Sequence, residues 1–292
     1  EVIKGNFEPG SNYMKMMLDG EVDELEELGA NTVAIVLGYN INEDGSYYLQ
    51  DELIAMNNLI NAKKAGFAVL VTPDFVGGWG HDYADEGVDI DLERFLQHSE
   101  EIALKWAEIS EEYQVEFFAP QSEFNGPIER NFGTIEEASI ITTDWHAEML
   151  PKIKEVFSGK LIAKIDQPRE GILVPGYDYV GITVGHGYDT VENVRGGTAR
   201  AYQIAKQIGE DSDVTWMVTE GFFQYGGSIY SREENSAGES MDELQDDYFR
   251  ATIEEYENLG GKDYIFDSWL MPSISIKDRP AEDVIKDFFS RV

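Results

Sequence analysis

The chain has 292 residues and a formal net charge of −35, from 57 acidic and 22 basic side chains. Such a charge repels phosphate backbones and anionic lipid surfaces, which argues against nucleic acid or a membrane as a partner. Hydrophobic residues make up 42% of the chain, enough for a large core, and the absence of cysteine excludes disulfides and thiolate metal sites.

Eight apolar runs predict the strands of a parallel sheet. Parallel strands are buried on both faces, so their sequences are continuously apolar rather than alternating. No run reaches the roughly 18 residues that a membrane-spanning helix needs. The runs are residues 2–5, 31–38 and 67–72, and five more that begin at Val115, Leu161, Tyr179, Val214 and Tyr264.

Helical patterns separate most of these runs. A long amphipathic helix is predicted after Asp91, which has the side chain of an N-cap. Capping boxes are predicted where a Ser or Thr precedes a Glu by three residues. Residues 167–177 are too few and too rich in proline for a helix. The capping boxes are Thr134 with Glu137 and Ser240 with Glu243, and the glycines predicted to end helices are Gly29, Gly66, Gly260 and Gly261.

Eight alternations of strand and helix predict a single (β/α)8 TIM barrel that spans residues 1–292. A Gly-x-Gly-x-x-Gly loop, which would favour an open Rossmann sheet, does not occur. Glycine-rich stretches at residues 77–87 and 222–239 are expected to be loops at the functional rim. The chain begins without a methionine or a signal-peptide pattern, as a mature secreted protein or a domain of a longer one would. We expect export, and a monomer.

Two glutamates follow apolar runs at the positions where the predicted strands open to solvent. Glu123 follows the fourth run and Glu220 ends the seventh. In a barrel both side chains converge on one mouth, where two carboxyl groups about 5 Å apart can hydrolyse a glycosidic bond without a metal or cofactor. Either residue could instead be an ordinary carboxylate in a loop or at a strand end, of which an acidic chain has many.

Several other polar and aromatic residues are candidates for contacts to a sugar. Trp79 lies in a glycine-flanked loop, and Trp269 ends the eighth run. Trp106 and Trp145 lie on helical stripes and are predicted core residues, while Trp216 is predicted to face the barrel interior. Asp166 and Asp267 could bind hydroxyl groups or cap turns. The candidate substrate-binding residues are Asp74, Trp79, Ser122, Asn125, His186, Tyr188, Phe222, Tyr225 and Trp269.

Metal and cofactor sites are not predicted. The four histidines, His81, His98, His146 and His186, show no metal-binding spacing. The chain also lacks a glycine-rich phosphate cradle and a Gly-x-Ser-x-Gly elbow. Lys164, two residues before Asp166, could form a Schiff base with a carbonyl substrate, but an ion pair with nearby acids is the simpler interpretation.

The ordered motifs resemble those of clan A glycoside hydrolases, and most closely those of glycoside hydrolase family 113, chiefly β-1,4-mannanases. The resemblance implies a retaining (β/α)8 enzyme, with Glu123 as acid/base and Glu220 as nucleophile. His186 and Tyr188 match a His-x-Tyr pair after strand six, and Trp269 matches the tryptophan of strand eight. The similar stretches are residues 28–34, 65–73, Trp79, 121–124 and 218–222.

Two departures from the clan pattern concern the sugar rather than the reaction. Ser122 stands where most members have the asparagine that binds the sugar 2-hydroxyl, and Asp74 stands where many have a histidine. The leading hypothesis is therefore an endo-acting retaining β-glycosidase of β-mannan. The alternatives are a β-1,4-glucanase, a carbohydrate-binding barrel without catalysis, and a Schiff-base lyase that uses Lys164.

Overall fold

A computed structural model describes residues 2–8, 19–49, 52–75, 83, 87–185, 191–223, 240–267, 269 and 274–292. Within these residues the chain forms nine strands and eight helices. The strands are β1 (Lys4–Glu8), β2 (Thr32–Ile41), β3 (Tyr47–Leu49), β4 (Ala68–Phe75), β5 (Phe117–Phe118), β6 (Lys160–Asp166), β7 (Tyr179–Val184), β8 (Thr215–Gly221) and β9 (Tyr264–Asp267). The helices are α1 (Asp19–Leu28), α2 (Glu52–Ala65), α3 (Leu92–Glu112), α4 (Asn125–Asn131), α5 (Ile135–Lys154), α6 (Val191–Ser212), α7 (Met241–Asn258) and α8 (Pro280–Arg291).

The predicted (β/α)8 barrel is confirmed. The parallel strands follow the order β1-β9-β8-β7-β6-β5-β4-β2, and pairing of β1 with β2 closes the barrel. β3 lies outside this ring and pairs antiparallel with β2. It was not predicted, and because of it the fourth and seventh strands of the barrel are β5 and β8.

The helix boundaries follow the predicted capping residues. The Asp91 side chain accepts a hydrogen bond from the Arg94 backbone N–H at 2.9 Å, and Thr134 forms a complete capping box with Glu137. Ser240 accepts from the Glu243 backbone at 3.5 Å. Residues 167–177 contain no helix, as predicted, whereas the short α4 after β5 was not expected. Among the helices of the described residues, none combines the length and apolar character that a membrane crossing requires.

The core has two parts. The larger packs the helices against the outside of the barrel and contains Trp106 and Trp145, as predicted. The prediction for Trp216 was wrong, since its ring packs against Tyr202 and Tyr256 on the helix side of β8. The smaller part, which we call the lower layer, fills the barrel interior with Ile3, Ala34, Val36, Leu70, Ala119, Ile162, Met217 and Ile265.

Candidate active site

A lysine lies at the centre of a buried polar cluster above the lower layer, toward the carboxyl ends of the strands. Lys164 on β6 has no exposed surface. Its Nζ donates hydrogen bonds to Glu220 Oε2 at 2.7 Å and to Glu123 Oε1 at 3.2 Å. It also donates to Ser122 Oγ at 2.8 Å and to Thr183 Oγ1 at 3.1 Å. The lysine therefore joins side chains that come from β6, β7, β8 and the segment after β5.

The two predicted glutamates meet at this lysine. Because Glu123 Oε1 and Glu220 Oε2 are bonded to the same nitrogen, at 3.2 and 2.7 Å, the two oxygens lie within about 6 Å of each other. The Thr183 hydroxyl forms a second bridge, with a short hydrogen bond to Glu123 and a longer one, 3.4 Å, to Glu220. Two glutamates that are 97 positions apart in the sequence thus belong to one hydrogen-bonded cluster.

A register shift in β8 turns Glu220 into the barrel. Val218 pairs with Ile182, but the next residue of β7, Thr183, pairs with Glu220, so Thr219 is an extra residue in β8. Val218 packs in the outer core. Regular alternation would place Glu220 on the same outer face, and the extra residue reverses this. The strand irregularity therefore decides whether this carboxylate faces the helices or the barrel mouth.

The backbone of Glu123 is held in an unfavourable conformation. Its φ of 54° lies in the left-handed region, which costs a residue with a side chain roughly 1–2 kcal/mol. Its neighbours hold this geometry in place. Phe124 stacks on Trp145 at 4.0 Å between ring centroids, and the Asn125 amide makes two hydrogen bonds, 2.8 and 2.9 Å, with the backbone of Asp166. Strain that is held by packing is common at functional sites.

The cluster contains more carboxyl groups than one ammonium can neutralise. Burial, followed by the charge of Glu123, raises the pKa of Asp74 to about 8 and raises the pKa of Asp166 well above its ordinary value. Burial also raises the pKa of Glu220 to about 7, and Lys164 opposes this rise. Burial by itself would lower the pKa of Lys164, but Glu123 and Glu220 outweigh it and raise that pKa above its usual range. The lysine is therefore charged, and the carboxyl groups share at least one proton near neutral pH.

A charged lysine argues against the Schiff-base hypothesis. Attack on a carbonyl carbon requires a neutral amine with a free lone pair. Lys164 instead has four oxygen atoms within hydrogen-bonding distance of its three N–H donors, and its pKa is raised. The alternative interpretation from the sequence, an ion pair with nearby acids, is confirmed.

The other predicted substrate contacts differ in where the structure places them. Ser122 belongs to the hydrogen-bonded cluster, Asp74 interacts electrostatically with its charged groups, and Phe222 is buried just beyond β8, 5% exposed. Asn125 is 1% exposed and its amide binds Asp166 and Glu129, so its observed role is structural and the predicted sugar contact is not supported. Trp79, His186, Tyr188 and Tyr225 lie outside the described residues.

Trp269 does not have the predicted position. The strand ends at Asp267, and the indole lies in the outer core, 3% exposed. Its N–H donates to Glu24 on α1 at 2.9 Å. The ring is therefore enclosed between the barrel and α1 rather than at the barrel mouth.

A cleft of about 640 Å³ opens beside the cluster. It lies above the ends of β6 and β7, between α5 and α6, and Thr183 belongs both to its wall and to the cluster. Among the described residues, no group of three or more His, Asp or Glu side chains is arranged to hold a metal ion.

No protein-family model matches the chain, and a search of curated proteins also found no match. Solved structures do match. A β-1,4-mannanase of glycoside hydrolase family 113 superposes with a TM-score of 0.71 at 17% identity and covers both chains completely. A family 113 β-mannanase from Alicyclobacillus acidocaldarius gives a TM-score of 0.73 at 14% identity, over 99% of this chain and 97% of the other.

An endoglucanase is also similar. The broad-specificity enzyme of family 5 from Clostridum cellulovorans matches with a TM-score of 0.66 at 12% identity, over 99% of this chain and 94% of that enzyme. The resemblance that the sequence motifs predicted is thus confirmed for the fold. At these identities the likeness is one of fold.

Proposed function

We propose that this chain is a retaining β-glycosidase that hydrolyses a β-1,4-linked polysaccharide, with β-mannan as the leading substrate. The observation that carries the proposal is the pair of buried carboxyl groups, Glu123 and Glu220, within about 6 Å of each other at the barrel mouth. Retaining glycosidases place their two carboxyl groups about 5–5.5 Å apart, whereas inverting enzymes need about 6.5–9.5 Å to admit a water molecule. The upper limit of about 6 Å between the two oxygens bonded to Lys164 favours the retaining arrangement.

The proposed reaction is a double displacement. The Glu220 carboxylate attacks the anomeric carbon, and a C–O bond forms as the bond to the leaving sugar breaks. Glu123, protonated, donates its proton to the departing oxygen. Glu123 then removes a proton from water, and the water oxygen displaces Glu220 with overall retention. Loss of the Glu220 charge in the intermediate lowers the proton affinity of Glu123, and the return of that charge when water releases Glu220 raises it again.

The similar structures support mannan as the substrate. The departures of the sequence from the clan pattern weaken the case for any one sugar. The similarity to family 113 mannanases supports mannan as the substrate of this chain. The similarity to the family 5 endoglucanase supports a β-1,4-glucan as the alternative. Ser122, which replaces the usual asparagine, accepts a hydrogen bond from Lys164. A polysaccharide cannot cross a cell membrane, so this function also favours an exported enzyme with residues 1–292 as its catalytic domain.

A substrate screen tests the proposal. Purified protein would be incubated with mannan, glucomannan, cellulose, xylan and galactan, and the release of reducing ends would be measured. We expect the largest release from mannan, and proton NMR of early products should show the β-anomer first. If a glucan is the best substrate, the assignment of mannan is wrong. If the α-anomer appears first, the retaining mechanism is refuted. Tight oligosaccharide binding with no cleavage of any polymer would indicate a binding barrel instead.

A further inference from the structure

The ammonium of Lys164 is the only cation among the described residues with direct hydrogen bonds to both Glu123 and Glu220. Lysine is rarely buried completely, because its desolvation costs several kcal/mol unless good partners compensate. Here the compensation comes from the two side chains assigned to the reaction. Lys164 Nζ is nearer to Glu220, 2.7 Å, than to Glu123, 3.2 Å.

Among the residues that the structure describes, the other ionisable groups close to this ammonium are acidic. Asp74 faces it from β4, Glu123 from the segment after β5, Asp166 from its own strand and Glu220 from β8. Asp267 is buried at the end of the neighbouring β9. Farther out, Glu129 on α4 acts on Asp166 and is itself paired with Arg169. Without Lys164, these carboxyl groups would repel one another at close range.

We infer that Lys164 is a positioning residue that keeps Glu220 ionised and aimed in the free enzyme, and so sets the lower pH limit of activity. The inference rests on the proposed function of Glu220 as nucleophile. A protonated carboxyl group cannot attack the anomeric carbon, so the nucleophile must lose its proton before the reaction. An opposite charge within hydrogen-bonding distance lowers a carboxyl pKa by roughly 1–3 units. In this site that effect opposes both burial and the neighbouring acids.

The contact between Lys164 and Thr183 links the ammonium to the glutamates by a second route. Lys164 donates to Thr183 Oγ1, and Thr183 in turn donates to Glu123. Both glutamates are therefore tied to one cation directly and through the same hydroxyl group, with the shorter direct contact to Glu220 and the shorter hydroxyl contact to Glu123. Because the shorter direct contact is the one to Glu220, the cation favours ionisation of that carboxylate the more strongly of the two.

The test compares Lys164→Met with a matched control on the same strand, Lys160→Met. Lys160 also forms an ion pair, with Asp178 at 2.7 Å, but it is exposed and belongs to the opposite end of β6. For each protein, kcat/KM on an aryl β-glycoside would be measured from pH 4 to 9. We expect the acidic limb of Lys164→Met to move up by roughly 1–3 pH units, so that activity at pH 5 falls about 10- to 1,000-fold. The Lys160→Met limb should coincide with that of the parent.

A purely structural role predicts a different result. Lys164→Met would then have lower thermal stability but an acidic limb at the parental pH, and this outcome would overturn the inference. A parent protein that cleaves no glycoside would remove the proposed function instead, and the second measurement below does not depend on turnover.

The second measurement covers a Lys164→Met protein that fails to fold. Glu123→Gln would be compared with Glu123→Gln/Lys164→Gln, which removes one carboxylate together with the cation. With glutamate labelled at its carboxyl carbon, the pH titration of Glu220 would be followed by 13C NMR and assigned by its loss in a Glu220→Gln sample. We expect the Glu220 pKa to be at least one unit higher in the double variant. Equal values in the two proteins would refute the inference.

Discussion

Two layers of inward-facing side chains lie one above the other in this barrel, and they differ in almost every property. The lower layer is apolar throughout, whereas the layer above it contains Asp74, Lys164, Asp166, Thr183 and Glu220. Three strands, β4, β6 and β8, supply both layers. β6 contributes Ile162 below and Lys164 two residues later, and β8 contributes Met217 below and Glu220 above. A change of side chain over a few residues of one strand thus separates a stabilising core from a reactive site.

The two ends of β5 show the same contrast. Glu116 precedes the strand and pairs with Lys63 at the amino-terminal end of the barrel, where both side chains are partly exposed. Glu123 follows the strand, is 3% exposed and shares Lys164 with Glu220. Both are glutamates at strand ends in an acidic chain, so residue type and position in the sequence distinguish them poorly. Burial and partners distinguish them clearly.

The largest effect is expected from Glu220→Gln. The amide keeps the shape of the side chain but cannot form the glycosyl intermediate, so turnover on every substrate should fall by about 10⁴-fold or more. The control is Glu116→Gln, which removes a carboxylate outside the site and should retain parental turnover. Initial rates on polymer and aryl substrates check both. Substantial activity in Glu220→Gln would contradict the assignment of the chemistry to the buried carboxyl groups at the barrel mouth.

Glu123→Ala should have a smaller effect that depends on the leaving group. Loss of the general acid should reduce turnover of polysaccharide roughly 10²- to 10⁴-fold. Aryl glycosides with good leaving groups need no proton to depart, so they should retain activity, and azide should accelerate release of the enzyme-bound sugar. A uniform loss on all substrates, without azide rescue, would show that Glu123 serves another purpose.

Met217→Ala should lower the free energy of unfolding and leave kcat unchanged. The side chain has no exposed surface in the lower layer, and truncation of such residues costs about 2–5 kcal/mol in the free energy of unfolding. Denaturant unfolding measures this loss. The kcat of the folded fraction at 25 °C should equal that of the parent. A large fall in kcat would mean that the lower layer and the reactive layer are not independent.

Asp74→Asn should make stability less sensitive to pH. The pKa of Asp74 rises from 3.8 to about 8 on folding, mainly because of burial. Between these values the folded state binds more protons than the unfolded state, so stability is lost as pH rises, by at most about 1.4 kcal/mol per unit. The variant lacks this contribution and should gain stability relative to the parent between pH 6 and 8. Melting temperatures at several pH values would show it, and parallel curves would contradict it.

The sequence predicted the fold well and the site in part. Apolar runs identified all eight barrel strands, because buried parallel strands have a strong local signal. The register shift at Thr219 has no such signal, so Trp216 was wrongly expected to share the inner face with Glu220. Trp269 was misplaced because a match to a motif gives the position in the chain but not the direction of the side chain.

Lys164 is the part of the site that sequence reasoning undervalued. A lysine within an apolar strand, two residues from an aspartate, did indicate a buried charge, and its pairing with acids was anticipated. Its partners could not be identified, because they come from other strands, 41 and 56 residues away along the chain. Contacts of that kind are set by barrel closure and register, which only the folded structure supplies.

The most direct test of the account is the identity of the residue that becomes covalently attached to the sugar. Incubation with a 2-deoxy-2-fluoro-β-mannosyl fluoride slows release of the intermediate, and peptide mass spectrometry then locates the label. We expect one labelled residue, Glu220, and no labelling of Glu220→Gln. Inactivation with the label on any other residue, or turnover with no covalent intermediate under conditions that trap other retaining enzymes, would contradict it.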